Sequence, residues 1–290
     1  MSKQQTAEPK VLACIDGAAF SEAVCDYALW MSQRIGAPLK FLHTIEHQPV
    51  PPVADMSGAI GLGSSEELLN ELTEVEQRRS SLRIKKGKLM LEGARARAAE
   101  QGVNEVECRQ RHGTLAEALV ELEDEIRVLA VGIRGEQHES NTDGIGHQLE
   151  SIIRSLHKPI LVVNQSFSEP QTIMLAYDGS DAARKALRMV CDSPLLKNTI
   201  CHLVHVQQEK LSSDPILDEG LKQLRDAGIE ATAQTLDGRI DKVLIDYQAQ
   251  HDIDLTIMGA FSHNRVRDFL LGSFTAKMLK GTQKPLLLLR

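Results

Sequence analysis

The chain has 290 residues, enough for two domains of ordinary size that each bury a core. Its 33 Lys and Arg against 40 Asp and Glu leave a net charge of −7, and aromatic residues make up only 3%. That balance excludes the electrostatic footprint of a DNA- or RNA-binding protein, and it excludes a base-stacking platform.

The first ten residues hold no apolar leader core, and no run is apolar over a membrane-spanning length. A soluble cytoplasmic protein with no membrane partner is expected. The five cysteines (Cys14, Cys25, Cys108, Cys191 and Cys201) form no C-x-x-C pair. Cys14 and Cys201 lie inside apolar, strand-like runs, where Cys serves as a small core residue.

In chain order, apolar runs predict strands over 11–15, 39–44, 106–111, 128–132 and 160–163 in the first half. The second half repeats them at 173–177, 200–206, 230–235, 255–259 and 286–289. Helical stretches alternate with these runs, the signature of βαβ units and a parallel sheet. Near-continuous Val, Ile and Leu suit strands covered on both faces. A helix over 21–35 places Val24, Ala28, Met31 and Ile35 on one face and ends near Gly36. Helices over 145–156 and 272–279 precede the final strand of each half, which Lys-Pro opens in both copies.

The halves are copies. Asp16 and Asp178 stand 162 positions apart, as do His43 and His205; Gly132 and Gly259 stand 127 apart, and Pro159 and Pro285 stand 126 apart. Ordered landmarks with one change of offset imply a tandem duplication, with domains over 1–165 and 170–290 and a polar linker over 164–171. The shift in offset marks an insertion in copy one between His43 and Gly132. It holds a Pro/Gly-rich loop over 48–63 and a charged helix over 64–100. Ser64-x-x-Glu67 forms a capping box, and Leu68, Val75, Leu82 and Leu89 recur every seven residues. Gly87 and Gly93 argue against an unbroken helix. The helix is expected first to cover its own sheet; a second role is to join two chains as a homodimer.

Ligands of open parallel sheets collect at the carboxyl ends of the strands, where strand order reverses. In copy two, Asp178 ends the first strand, where a carboxylate can accept hydrogen bonds from sugar hydroxyls. His205-Val206 ends the second, where main-chain groups can read a base edge. The fourth strand runs into a loop with Gly259 and Gly272 at its margins, and Ser273 opens a helix. Glycine lets a ligand approach the backbone, and free N–H groups at a helix start suit a phosphate.

The spacing Gly259-x2-Ser262-x9-Gly272-Ser273 resembles the G-x2-G-x9-G-[S/T] nucleotide loop of the universal stress protein family. The resemblance extends to Asp178-Gly179-Ser180, to Val204-His205-Val206 and to the Lys-Pro pairs, and it covers both halves. It implies an α/β fold of two tandem five-stranded parallel-sheet domains of the adenine nucleotide hydrolase-like (Rossmann-like) type. It also implies an adenine nucleotide, ATP or AMP, with or without Mg2+. Carried onto this sequence, Asp178 would hold the adenosine at its ribose and Val206 would meet the adenine through its backbone. Gly259, Ser262, Gly272 and Ser273 would line the phosphates, with Phe274 and Thr275 continuing the helix start. Ser262 replaces the second family glycine, and Tyr177 stands where a smaller residue is common and is expected to crowd the base.

Copy one departs further. It keeps Asp16, Gly132 and Gly135, but ten residues precede Gly146 where the motif has nine, and His147 stands in the Ser/Thr position. Glu136, Glu139 and Asp143 lie between and would repel a phosphate. This site is expected to be altered or lost. No P-loop and no nucleophile–base pair is found, so nucleotide binding without appreciable turnover is expected. The alternatives are a slow ATP hydrolase and a non-nucleotide scaffold. The apolar final strands are expected to pack against one another as an intramolecular pseudo-dimer, because unpaired they would invite uncontrolled association.

Overall fold

Short runs of Val, Ile and Leu form ten strands, each flanked by turn-forming or helical segments. A computed structural model describes residues 8–46, 62–135, 147–207, 214–259 and 272–290. The first half contains β1 (Lys10–Cys14), α1 (Ser21–Ile35), β2 (Leu39–Ile45), α2 (Leu62–Glu100), β3 (Val106–His112), α3 (Leu115–Glu121), β4 (Ile126–Gly132), α4 (His147–Ser155) and β5 (Ile160–Val163). The second contains β6 (Thr172–Ala176), α5 (Asp181–Asp192), β7 (Ile200–Gln207), α6 (Asp214–Asp226), β8 (Glu230–Asp237), α7 (Ile240–Gln250), β9 (Leu255–Gly259), α8 (Ser273–Gly281) and β10 (Leu286–Leu289). The ten expected strands all occur, displaced by at most two residues at either end. Helices α3, α6 and α7 were not marked in the sequence reading. For α3 a signal existed, since Thr114 and Glu117 form a capping box at its start.

The strands make one sheet in the order β3-β2-β1-β4-β5-β10-β9-β6-β7-β8. Every neighbouring pair is parallel except β5 and β10, which run antiparallel with Leu286 opposite Val162, Leu287 opposite Leu161 and Leu288 opposite Ile160. The order reads as one five-strand block followed by its reversed copy. A pseudo-twofold axis therefore passes through the Leu161–Leu287 pair, normal to the sheet. The expected packing of the final strands takes the form of direct hydrogen-bonded pairing.

Helices cover both faces, and each core runs across both halves. One cluster joins Val11, Phe41 and Leu161 to Leu175, Leu203 and Leu287 beneath α1, α2, α5 and α6. The other joins Leu12, Leu129 and Val162 to Met174, Met258 and Leu288 beneath α3, α4, α7 and α8. The outermost strands, β3 and β8, are largely polar and part-exposed, which blunts edge-to-edge association.

Three expectations need correction. Helix α1 buries every residue from Ala23 to Ser32, not one face alone, because α2 lies over it. Helix α2 is continuous through Gly87 and Gly93. At Gly87 the helix touches the sheet: a Cβ there would lie 2.1 Å from the Gln110 amide nitrogen and 2.4 Å from the His43 ring. Its buried stripe is Gly87, Leu91, Ala94 and Ala98, whereas Val75, Leu82 and Leu89 of the heptad seam face solvent. The seam is not what covers the sheet; the small residues of the stripe are. No helix is long and apolar enough to cross a membrane among the described residues.

Burial of Leu161 and Leu287 at the axis couples the halves. Replacing either by Ala should cost about 2–5 kcal/mol, read as a shift of the denaturant midpoint. The loss should appear within a single cooperative transition, and two resolved transitions in the parent protein would contradict that coupling.

Candidate functional site

In copy two the strand order reverses between β6, which leads on to β7, and β9. Helix α5 leaves β6 on one face while α8 leads back to β10 on the other. Strand β6 pairs with β7 only as far as Ala176 opposite Val204, after which the Tyr177 N–H donates to the Val204 carbonyl at 2.9 Å. Beyond that point β7 continues along β8, with Val206 opposite Leu236. The backbone edge of Val206 that faces β6 therefore has no strand beside it among the described residues. A cavity of about 310 Å³ opens in this gap.

The cavity gathers most of the sequence-derived site. Asp178, Val206, Gly259, Gly272, Phe274 and Thr275 all line it. Ser273 is the first residue of α8, directly behind the Gly272 N-cap, and is not among the lining residues. Ser262 lies outside the described residues. Among the described residues, a Cβ at Gly272 would meet only the Thr275 hydroxyl at 3.8 Å, and one at Gly259 only the Ala182 side chain at 3.9 Å. Helix α8 begins without a side-chain cap, which leaves the positive end of its dipole to an outside acceptor.

Asp178 is shaped by its own turn: its Oδ1 accepts from the Ser180 N–H at 3.0 Å. The Ser180 hydroxyl in turn accepts from the Ala183 N–H at 3.1 Å and caps α5. One carboxylate oxygen is held locally, and the group stands at the cavity wall as its charged side chain. The other walls are apolar and include Ala176, Val204, Ile240, Leu244 and Met258. The sequence reading missed these residues. Alternation along β6, β7 and β9 carries part of the signal, but the contribution of α7 becomes visible only once its packing is known.

One sequence expectation changes at this site. Nδ1–H of His205 donates to the Tyr177 carbonyl at 2.9 Å, and Nδ1–H of His43 donates to the Ile15 carbonyl at 2.7 Å. The repeated histidine therefore clamps the strand end that carries the aspartate, in both copies, instead of marking only a base-reading backbone. Tyr177 lines the cavity and is buried, with its ring edge 3.3 Å from where a Cβ of Gly220 in α6 would lie. Burial raises the pKa of its hydroxyl above the ordinary value.

The copy-one counterpart is far smaller, about 100 Å³, and Asp16, Gly132 and Gly135 line it. Gly146 lies outside the described residues. Asp16 Oδ1 accepts from the Ala18 N–H at 3.0 Å and from the Ser21 hydroxyl at 2.9 Å. Its second oxygen would lie 3.1 Å from a Cβ at Gly135, so the chain after β4 folds down onto the carboxylate. From above, Met90 of α2 presses on Gly17, where a Cβ would lie only 2.5 Å from its sulfur.

The cysteines behave as core residues. Burial pushes the Cys25 and Cys201 thiols up to about 12, and burial with Asp16 alongside raises Cys14 further. A thiol held protonated is neither a nucleophile nor a metal ligand. Among the described residues no group of three or more His, Cys, Asp or Glu is placed to hold a metal ion.

The sequence matches the universal stress protein family over residues 9–164 and again over 170–290. Universal stress protein Slr1230 of Synechocystis sp. is 34% identical over 284 residues, covering 97% of this chain and 99% of that one. The crystal structure of a universal stress protein from Archaeoglobus fulgidus DSM 4304 is similar with a TM-score of 0.70 at 16% identity, covering 97% of this chain and 96% of that one. A functionally unknown protein, PA1789 from Pseudomonas aeruginosa PAO1, gives a TM-score of 0.60 at 12% identity, with coverage of 99% and 94%. At these identities the two solved structures speak to the fold alone. On the family match over both halves and the full-length relative, the chain belongs to the universal stress protein family.

Proposed function

We propose that this is a cytoplasmic stress-response regulator that binds an adenine nucleotide, ATP or AMP, in its second domain and does not turn it over appreciably. In this reading domain 1 spans 1–165 and domain 2 spans 170–290. The observation that carries it is the cavity of about 310 Å³ at the carboxyl ends of β6, β7 and β9, which meets the uncapped start of α8. Asp178 would hold the ribose, and Val206 would offer its free backbone edge to the adenine. Gly259, Gly272 and Ser273 would receive the phosphates, with Ser262 on the loop between and Phe274 and Thr275 in the first turn of α8. A Mg2+ ion, where present, would come in on the phosphates, since Asp178 is the one carboxylate in the cavity wall among the described residues. Binding would stabilise the loop 260–272 and so alter an interaction surface, a shift of population with no chemical step. The Asp16–Gly135 approach and the smaller cavity support the reading that domain 1 has lost its site.

Calorimetry with ATP and AMP should give about one nucleotide per chain, and no heat with either at millimolar concentration would overturn the reading. Gly272→Val should abolish binding with the fold intact, because a Cβ there meets nothing closer than 3.8 Å among the described residues. Gly146→Val should leave binding nearly unchanged; equal loss from both substitutions would refute the assignment to domain 2.

Proton transfer to or from an attacking water needs a base within hydrogen-bonding reach. Among the described residues the cavity offers only Asp178, which is assigned to the sugar. ATP hydrolysis should therefore fall far below the ~10 s⁻¹ of a median enzyme. A rate near that value, retained on repurification and lost in Asp178→Ala, would establish an enzyme.

A scaffold reading is favoured by one specific feature, the solvent-facing seam of α2, where Val75, Leu82 and Leu89 are 58%, 64% and 67% exposed. Large apolar side chains in a row on one helix face suit self-association into a homodimer. Sedimentation velocity should then show a dimer that Leu82→Glu dissociates, and a parent protein that is monomeric at all concentrations would remove this role.

A further inference from the structure

A second cavity, of about 280 Å³, lies beside the pseudo-twofold axis and away from both strand-end sites. Its apolar walls include Ile35, Val128, Val190, Leu195, Leu196 and Leu287, and Met189 adds a thioether. Arg127 and Asp192 stand among its lining residues, and Arg127 is exposed. The cavity owes its shape to Pro194. In copy one the helix runs to Ile35, whose counterpart is Lys197, but in copy two α5 stops at Asp192 and gives way to a 3-10 turn over Pro194–Leu196. Proline lacks the N–H that a continuing helix needs, and its ring collides with the preceding turn. The broken end lines the cavity.

The axis generates a matching groove on the same face, and that groove is filled. The offset of 162 places Tyr27 where copy two has Met189, and Trp30 where it has Asp192. The linker enters this groove: Asn164 donates to the Thr282 and Lys284 carbonyls, both at 3.0 Å, and the Gln171 N–H donates to Asp254 at 2.9 Å. Between these anchors the Phe167 ring packs edge-on against Tyr27, with centroids 4.8 Å apart, and the Tyr27 hydroxyl donates to the Ser168 carbonyl at 3.3 Å. Trp30 completes an aromatic cluster at 6.3 Å from Tyr27. On the cavity side no segment plays this part among the described residues. After β10 the Arg290 side chain is held to the Arg154 and Leu156 carbonyls, at the end of α4 on the opposite face of the sheet.

We propose that this cavity binds an uncharged aromatic small molecule of one or two rings, in the place that the pseudo-symmetry assigns to the Phe167 cluster. The volume exceeds the roughly 150 Å³ in which a dry aliphatic cavity holds a benzene ring. Aliphatic walls with a methionine sulfur suit an aromatic guest. The rim selects against net charge: a carboxylate drawn to Arg127 meets Asp192, and an ammonium drawn to Asp192 meets Arg127. The proposal stands independently of the nucleotide reading, since the two cavities share no lining residue.

Ligand-observed NMR with indole as probe, and with benzoate and benzylamine as charged comparators, tests this on the full chain. Indole should bind saturably with a dissociation constant of about 1 mM, and at least about tenfold more tightly than either charged probe. Saturating AMP should not displace it, and displacement would place the probe in the nucleotide cavity and overturn the proposal. Met189→Tyr with Asp192→Trp installs the side chains of the filled groove and should abolish indole binding. Should that pair fail to fold, by circular dichroism, Met189→Tyr alone should weaken binding by about tenfold. Indole binding that persists unchanged in a folded variant would refute the site. Asp192→Asn leaves Arg127 unopposed and should raise benzoate binding; an unchanged benzoate signal would contradict the placement at this rim.

Discussion

The antiparallel pairing of β5 with β10 is the constraint on which the rest of the molecule depends. Each strand is four apolar residues long, and each would be an unprotected edge in an isolated half. Paired, they hydrogen-bond to one another and place Leu161 opposite Leu287 at the centre of a ten-stranded sheet. The hydrophobic clusters then extend across the junction on both faces, so neither half owns a closed core of its own. Because the pairing reverses strand direction, the carboxyl ends of the two blocks point opposite ways. The two strand-end sites are therefore held apart, and one can be lost without obstructing the other.

The duplication is symmetric in topology and asymmetric in everything added to it. Helix α2 belongs to copy one alone, and it lies so close to β2 and β3 that only a glycine fits at position 87. The same helix sets Met90 against Gly17, beside Asp16, while the chain after β4 closes on the carboxylate. Copy two has α6 in the corresponding place, where Ile216 presses on Gly179 in the same way, yet the chain after its fourth strand leaves a larger cavity. The linker adds the second asymmetry. It can cross only one of the two grooves beside the axis, so an aromatic plug fills one and its counterpart remains a cavity. The linker is thus a segment present once that acts on a frame present twice.

Much of this was legible in residue order. Hydrophobic runs marked the inner strands, because strands buried on both faces need near-continuous apolar sequence, and the two polar edge strands were read from their place in the repeat. The matched landmarks exposed the duplication, and the glycine spacing located the loop whose ends, Gly259 and Gly272, reach the cavity wall. Other features were less legible. The seven-residue repeat of α2 faces solvent at 75, 82 and 89, and the buried stripe is Gly87, Leu91, Ala94 and Ala98, in which all but Leu91 are small. Small residues carry little hydrophobic signal, although they are what lets a helix approach closely. The repeated histidine of each second strand was read only as a landmark of the duplication and of a base-reading backbone, and its ring also clamps the neighbouring strand end.

The sequence by itself determined the elements, their duplication and the chemistry of the strand-end loops, because these depend on local periodicity and on spacing along the chain. Only the tertiary structure decided which surfaces meet. The order of strands joined β5 to β10, the chain after β4 came down on Asp16 at Gly135, and the break at Pro194 shaped a cavity beside the axis. Those outcomes rest on contacts between residues more than a hundred positions apart, such as Leu161 with Leu287 and Tyr27 with Ser168. Such contacts form because apolar surface is removed from water wherever the folded chain brings it together, and no local pattern records that meeting.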